Sequence, residues 1–237
     1  MPYAHAPITE ALIDIQATGI ECSLEELRSF ADLGANTTEV REIRWNQFVI
    51  RPGQPAPVHQ TNEVAGFQFW GPDRRWVWQA RSNGFTFSHL TPYNNWRALA
   101  SEARFIWTKF RSQTGAIPSR MAVRYINRFD LPITGDFADY FLTVPRIPPK
   151  LDTGLAGYLM QLVLPQRDLE AVAVITQTPM APPRPDFASV ILDIDLYRDK
   201  NVPQDEGKLW DLFEEFRNRK NFLFEESISN KAREVIR

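Results

Sequence analysis

The chain has 237 residues, of which 43% are hydrophobic, 24% charged and 12% aromatic, and this composition excludes a disordered or fibrous protein. Its 27 basic and 29 acidic side chains nearly balance in each half of the chain, so bulk attraction to nucleic acid or to an anionic membrane is not supported. The single cysteine, Cys22, excludes an internal disulfide framework and a cysteine-rich zinc module. The first residues lack the pattern of a secretory signal, and no apolar run approaches the roughly 20 residues of a spanning helix. We therefore expect a soluble, cytoplasmic protein without a membrane partner.

Alternating apolar and polar residues predict five strands in the first half of the chain. They cover residues 11–17, 39–51, 64–70, 75–81 and 85–90, with a proline-rich loop at 52–57. Ser23 and Glu26 have the spacing of a capping box, which predicts a short helix that begins there and ends near Gly34. The Asn83-Gly84 pair predicts a type I′ hairpin between the last two strands, because both residues tolerate positive φ.

The period of the pattern changes at residues 92–111, where apolar residues recur at steps of three and four. This spacing predicts an amphipathic helix of about five turns, which Gly115 and Pro118 end. Further strands are predicted at 121–131, 157–164, 169–178 and 189–198, with a short helix or turn at 136–142. A second long helix follows at 205–222, and a short terminal helix at 227–237.

The order of these elements repeats along the chain. A strand, a short helix, a run of antiparallel strands and a long helix span about 10–112 and again about 120–224. The sequence thus predicts one α+β domain of residues 1–237, made of two duplicated β-α-β(3-4)-α units and a short C-terminal helix. The units would form a curved antiparallel sheet with both long helices on one face, as in saddle-shaped and helix-grip proteins. Such an analogy of fold carries no function.

Four segments carry a resemblance to a known family. They are Pro7-Ile8-Thr9-Glu10-Ala11, Tyr93-Asn94-Asn95-Trp96, Arg124-Tyr125-Ile126-Asn127-Arg128 and residues 222–233. Together they resemble a sporadically distributed family of bacterial proteins of unknown function and of about this length. The family usually has a His in the last long helix, where this chain has Arg219. The resemblance implies the fold and no mechanism.

Two acidic residues share one face of the strand at 189–198. A period of two places Asp193 and Asp195 roughly 7 Å apart, which suits a hard cation such as Mg²⁺. Arg124 and Arg128 share a face of the strand at 121–131 and could bind a phosphate. This set would suit a metal-dependent phosphoryl-processing enzyme. We favour instead the interpretation that these acidic and basic residues form cross-strand ion pairs on a solvated sheet face.

Asn127 is the polar residue on the apolar face of the same strand. A buried amide without hydrogen-bond partners costs about 1–3 kcal/mol. We expect its amide to hold a neighbouring loop or helix end, and a ligand contact is the alternative.

Nucleophilic and metal chemistry find little support in the sequence. Cys22 precedes a helix N-cap, where a thiolate would be favoured, but no His lies in a clear partner position. His5, His59 and His89 are scattered, and the chain has no Gly-rich phosphate loop, His-Glu-x-x-His or Cys-x-x-Cys motif. The sequence therefore predicts neither a cofactor nor a metal.

Aromatic residues are frequent in the first half of the chain. They are Trp45, Phe67, Phe69, Trp70, Trp76, Trp78, Phe85 and Phe87. Aromatic sheet faces can stack on the bases of single-stranded nucleic acid, but core packing explains these residues without a basic groove.

These observations favour a non-catalytic binding or protein-interaction module. The candidate ligand-binding residues are Arg124, Asn127, Arg128, Asp193 and Asp195. The metal-dependent phosphoryl-processing enzyme and a single-stranded nucleic-acid binding protein are the alternatives. The partner, protein or small molecule, is not defined by the sequence.

Overall fold

The computed structural model describes residues 3–34, 36–48, 60–132, 136–151, 155 and 157–237, and within them nine strands form one open antiparallel sheet. The strands are β1 (Ile8–Thr18), β2 (Glu39–Phe48), β3 (Gln60–Trp70), β4 (Trp76–Arg81), β5 (Gly84–Leu90), β6 (Ile117–Pro132), β7 (Met160–Gln166), β8 (Ala171–Met180) and β9 (Phe187–Arg198). Their order across the sheet is β2-β3-β4-β5-β1-β6-β9-β8-β7. The predicted α+β class and antiparallel sheet are confirmed. The loop predicted at 52–57 lies outside the described residues.

Four α-helices are described: α1 (Leu24–Ser29), α2 (Trp96–Thr114), α3 (Glu206–Glu225) and α4 (Asn230–Val235). Asn95 caps α2 by accepting a hydrogen bond from the backbone N–H of Ala98 at 2.9 Å. Gly115 ends α2 with a φ of +70°, as its place in the sequence predicts. No helix among the described residues is long and apolar enough to cross a membrane.

The capping box of α1 is confirmed, and the helical segment ends at Gly34 as predicted, although this glycine does not have a left-handed backbone. The Ser23 N–H donates to Glu26 Oε2 at 2.7 Å, and the Glu26 N–H donates to Ser23 Oγ at 3.2 Å. The helix then tightens into a 3₁₀ turn at Phe30–Leu33, and Gly34 has an extended backbone, with φ −89°. A glycine is needed there because a Cβ would lie 2.8 Å from Trp78 Nε1.

The hairpin between β4 and β5 is confirmed, whereas its predicted turn type is wrong. Arg81 pairs directly with Gly84, so the two loop residues are Ser82 and Asn83, and Asn83 does not have a positive φ. Gly84 has a φ of +151°, and a Cβ there would lie 2.3 Å from the carbonyl oxygen of Ile15. Gly84 thus permits the close approach of β1 instead of shaping the turn.

One hydrophobic core packs against the sheet. The odd-numbered residues of β6 from Met121 to Leu131 are buried, as the predicted alternation requires. Helix α2 contacts β1 and β5, while α3 contacts β6 and β9. Most of the aromatic residues of the first half pack in this core, as expected: Phe67, Phe69, Trp78, Phe85 and Phe87 are each less than 5% exposed. Those five rings are therefore not free to stack on bases.

Candidate functional site

A network of ion pairs spans the five adjacent strands β4-β5-β1-β6-β9 near the middle of the sheet. Its six side chains are Asp14 of β1, Arg81 of β4, Arg120 and Arg124 of β6, and Asp193 and Asp195 of β9. Their strand positions alternate with those of the core residues, so they lie on the opposite face of the sheet. We call this surface the Arg–Asp face.

The strongest pair on this face joins β6 to β9. Arg124 and Asp195 are direct neighbours in the strand register, yet the Arg124 side chain reaches diagonally to Asp193. Its Nε lies 2.9 Å from Oδ1 and its Nη2 lies 2.6 Å from Oδ2. This two-point contact fixes the planes of both groups, and the Asp193 side chain is only 13% exposed.

Arg120 bridges the two halves of the network. Its guanidinium lies 3.5 Å from a carboxylate oxygen of Asp14 and 3.4 Å from one of Asp195. Asp14 also accepts hydrogen bonds from Arg81 and Thr86, both at 2.6 Å. Three arginines thus face three aspartates, and the formal charges of the network cancel.

The environment shifts the pKa of two groups in the network. Burial raises the pKa of the Asp195 carboxyl above its usual range, and the positive charges of Arg120 and Arg124 only partly oppose this effect. The hydrogen bonds to Asp193 raise the pKa of Arg124, so this guanidinium stays charged.

The paired carboxylates do not form a ready metal site. Asp193 already has both oxygens on Arg124, and Asp195 shares Arg120 with Asp14. No group of three or more His, Cys, Asp or Glu residues that could hold a metal ion occurs in the described ranges. A cation at Asp193 and Asp195 would have to displace arginines first.

The other two predicted site residues, Arg128 and Asn127, are not part of the ion-pair network. Arg128 is on the same strand face, where it binds Asp130 at 2.9 Å and Ser189 at 3.3 Å. Asn127 is 2% exposed and faces the core. Its amide donates to the backbone carbonyl of Leu192 at 3.0 Å. It therefore binds the neighbouring strand β9, not the loop or helix end that the sequence suggested, and the structure does not bring it to the Arg–Asp face.

Cys22 does not have the environment of an activated nucleophile. Burial raises the pKa of its thiol, and the negative charge of Glu26 raises it further. This direction is opposite to the one expected from its place before a helix N-cap, because the thiol is partly buried and hydrogen-bonds to the negatively charged capping carboxylate of Glu26. His89 is paired with Glu102 at 2.8 Å, and His59 lies outside the described residues.

Sequence reasoning missed a second polar cluster, on the core side of the sheet. Lys220 of α3 is only 7% exposed, and its ammonium lies 3.4 Å from the ring centroid of Tyr125. The Tyr125 hydroxyl is 2.8 Å from that of Tyr93. Burial lowers the pKa of Lys220 to about 7, and the charge of Arg217 adds to the effect. Lys220 follows Phe213 and Phe216 on the apolar stripe of α3, and this interruption was the available signal.

A groove of about 580 Å³ runs between α2 and α3. Trp96 and Trp210 form part of its wall, and Arg97, Arg217 and Glu214 line it as well. Trp96 Nε1 donates to Glu214 Oε1 at 2.6 Å and so links the two helices. Arg217 lines the groove, and Lys220 lies one helical turn after it, behind the lining residues.

No protein-family model matches the chain, and no curated protein is significantly similar to it.

Proposed function

We propose that the chain is a non-catalytic binding module whose Arg–Asp face receives a protein partner. The observation that supports this proposal is the balanced, half-buried charge network in the middle of a wide sheet. A protein surface of alternating charge is complementary to such a network, whereas a polyanion would need an excess of arginine or lysine.

The proposal includes the arrangement of the layers, with both long helices on the face opposite the network. His89, Ala11 and Tyr125 are direct neighbours across β5, β1 and β6, so their side chains share one face. Glu102 of α2 binds His89, and Lys220 of α3 lies over Tyr125. These contacts support helices α2 and α3 side by side on one face of the sheet, so that neither long helix covers the Arg–Asp face.

The strand order also supports a duplicated fold, which remains part of the proposal. β1 and β6, the first strands of the two predicted units, are neighbours, and the remaining strands of each unit extend outwards from them. We also propose that the chain belongs to the bacterial family that its sequence resembles.

Apolar side chains beside the network add to the argument for a protein partner. Val163 of β7 pairs with Val174 of β8, which pairs with Asp195, so all three share the Arg–Asp face. Val163 is 59% exposed. An apolar patch next to charged groups is the usual make-up of a protein–protein interface.

The experiment compares two charge-introducing variants. Val163→Glu alters the Arg–Asp face, and Phe222→Glu alters an equally exposed position on α3. The native chain captures its partner from an extract of the source cells, the partner is identified and purified, and its Kd is measured with each variant. We expect Val163→Glu to weaken the Kd roughly tenfold or more and Phe222→Glu to leave it unchanged. Equal binding by both variants would contradict the proposal.

A magnesium titration separates this proposal from the phosphoryl-processing alternative. We expect Mg²⁺ to leave the melting temperature unchanged, because the carboxylates are held by arginines. An increase that Asp193→Asn abolishes would favour the metal-dependent enzyme instead.

A further inference from the structure

We propose that Lys220 and Arg217 form a receptor for the phosphate or carboxylate group of a small molecule that enters the groove between α2 and α3. This inference does not depend on the protein partner of the opposite face.

The first support is that Lys220 has no structural partner. Among the described residues its ammonium makes neither a hydrogen bond nor an ion pair, and it lies 3.4 Å from the centroid of the Tyr125 ring. A buried cation without an acidic partner is costly. Such a group is frequent where a ligand supplies the missing charge.

The second support is that Arg217, the cation one helical turn before Lys220, is also without an acidic partner among the described residues. Arg217 forms no ion pair with any described residue, and its guanidinium hydrogen-bonds only to Asn218, at 3.3 Å. Two acidic side chains, Asp211 and Glu214, also line the groove. Glu214 accepts the hydrogen bond of Trp96, and neither of the two forms an ion pair with Arg217. Tyr93 and Tyr125 stay neutral, because burial raises the pKa of both hydroxyls.

The third support is that the groove offers further binding groups. It begins at the N-terminal end of α2, where Asn95, Trp96 and Arg97 line it, and the positive end of a helix dipole favours an anion. Trp96 and Trp210 are only 7% and 6% exposed, so they form the floor of the groove and leave little ring surface for a ligand. The phosphate or carboxylate group itself is what fits this arrangement of charges.

The proposed receptor makes binding depend on pH. Burial and the charge of Arg217 lower the pKa of Lys220 to about 7, and only the protonated amine attracts an anion. Tyr93 and Tyr125 do not titrate in this range. Affinity should therefore fall as the pH rises through neutrality.

The test uses sulfate, whose charge is constant across the pH range, and measures its Kd by calorimetry. Between about pH 6 and about pH 8 we expect the Kd to rise roughly tenfold, following the protonated fraction of Lys220. Lys220→Met should weaken the Kd at the lower pH at least about tenfold and remove its pH dependence. Arg217→Gln should weaken the Kd and keep the pH dependence. Lys208→Met, an exposed lysine on the same helix, is the matched control.

Phenyl phosphate and benzoate, which carry the same ring, distinguish a phosphate receptor from a carboxylate receptor. Melting curves of each variant show that it is folded before its Kd is compared. No binding of any of the three anions, or an unchanged Kd in a folded Lys220→Met variant, would overturn the proposal.

Discussion

Replacing the buried lysine of α3 should make the protein more stable. Unfolding returns Lys220 to an ordinary pKa of 10.5 from about 7 in the folded chain. Each pKa unit corresponds to about 1.4 kcal/mol, so at neutral pH this difference costs the native state about 4 kcal/mol. Lys220→Met removes the cost and loses a cation–π contact of about 1–2 kcal/mol. We expect a net stabilisation of about 2–3 kcal/mol.

The pH dependence has a definite sign, because the folded state binds fewer protons at Lys220 than the unfolded state between about pH 7 and about pH 10. Native stability from this group therefore increases with pH over that range. The advantage of Lys220→Met should shrink by about 3 kcal/mol between those limits. Urea unfolding of the native chain and of Lys220→Met at each pH measures the difference between their free energies of unfolding. The contributions of other titrating groups cancel in this difference. A constant difference, or a variant that is less stable at neutral pH, would refute the reasoning.

Two further substitutions test the Arg–Asp face and the β4–β5 hairpin. Arg120→Met should destabilise the fold by about 2 kcal/mol, because it removes the cation that the half-buried carboxylates of Asp14 and Asp195 share. Gly84→Ala should cost roughly 3 kcal/mol or more, because its Cβ would lie 2.3 Å from the Ile15 carbonyl oxygen. Both are measured from urea unfolding midpoints. Gly157→Ala, whose Cβ meets no atom of the described residues within 4 Å, should change stability by less than about 0.5 kcal/mol.

Arg41→Met is the control for the network variant. Arg41 pairs with Glu39 on an exposed surface and lies over the Trp70 ring, so its loss should cost less than about 1 kcal/mol. Equal effects of Arg41→Met and Arg120→Met would show that the network adds no stability. A Gly84→Ala protein as stable as Gly157→Ala would show that β1 and β5 can separate freely.

The periodicity of the sequence was sufficient to predict the helices and strands that have one buried face. The alternation of β6 and the three- and four-residue steps of α2 follow directly from a single core, so both elements could be predicted. The turn type of the β4–β5 hairpin could not be predicted from the sequence. The Asn83-Gly84 pair describes a local turn, whereas the position of Gly84 is set by a third strand, β1. The approach of Ile15 to Gly84 is a contact between residues about 70 apart in the chain.

The candidate site likewise has one part that the sequence pattern predicts and another that depends on contacts between distant residues. The shared face of Asp193, Asp195 and Arg124 could be predicted from a period of two, but the diagonal pairing of Arg124 with Asp193 depends on strand register. Lys220 could have been singled out as a charge on an apolar stripe. Its lack of an acidic partner depends on which side chains of β6 and α2 pack around it, and those contacts are not local.

The adjacency of β1 and β6 affects how the chain folds as it leaves the ribosome. Residues that pair across these strands, such as Leu12 and Arg124, are about 110 positions apart, which a ribosome needs roughly 5–20 s to translate. During that interval β1 has an unsatisfied hydrogen-bonding edge and alternate apolar side chains, and both promote aggregation. A chaperone that binds extended nascent segments would protect the chain at this stage, and slow folding with a high contact order is expected.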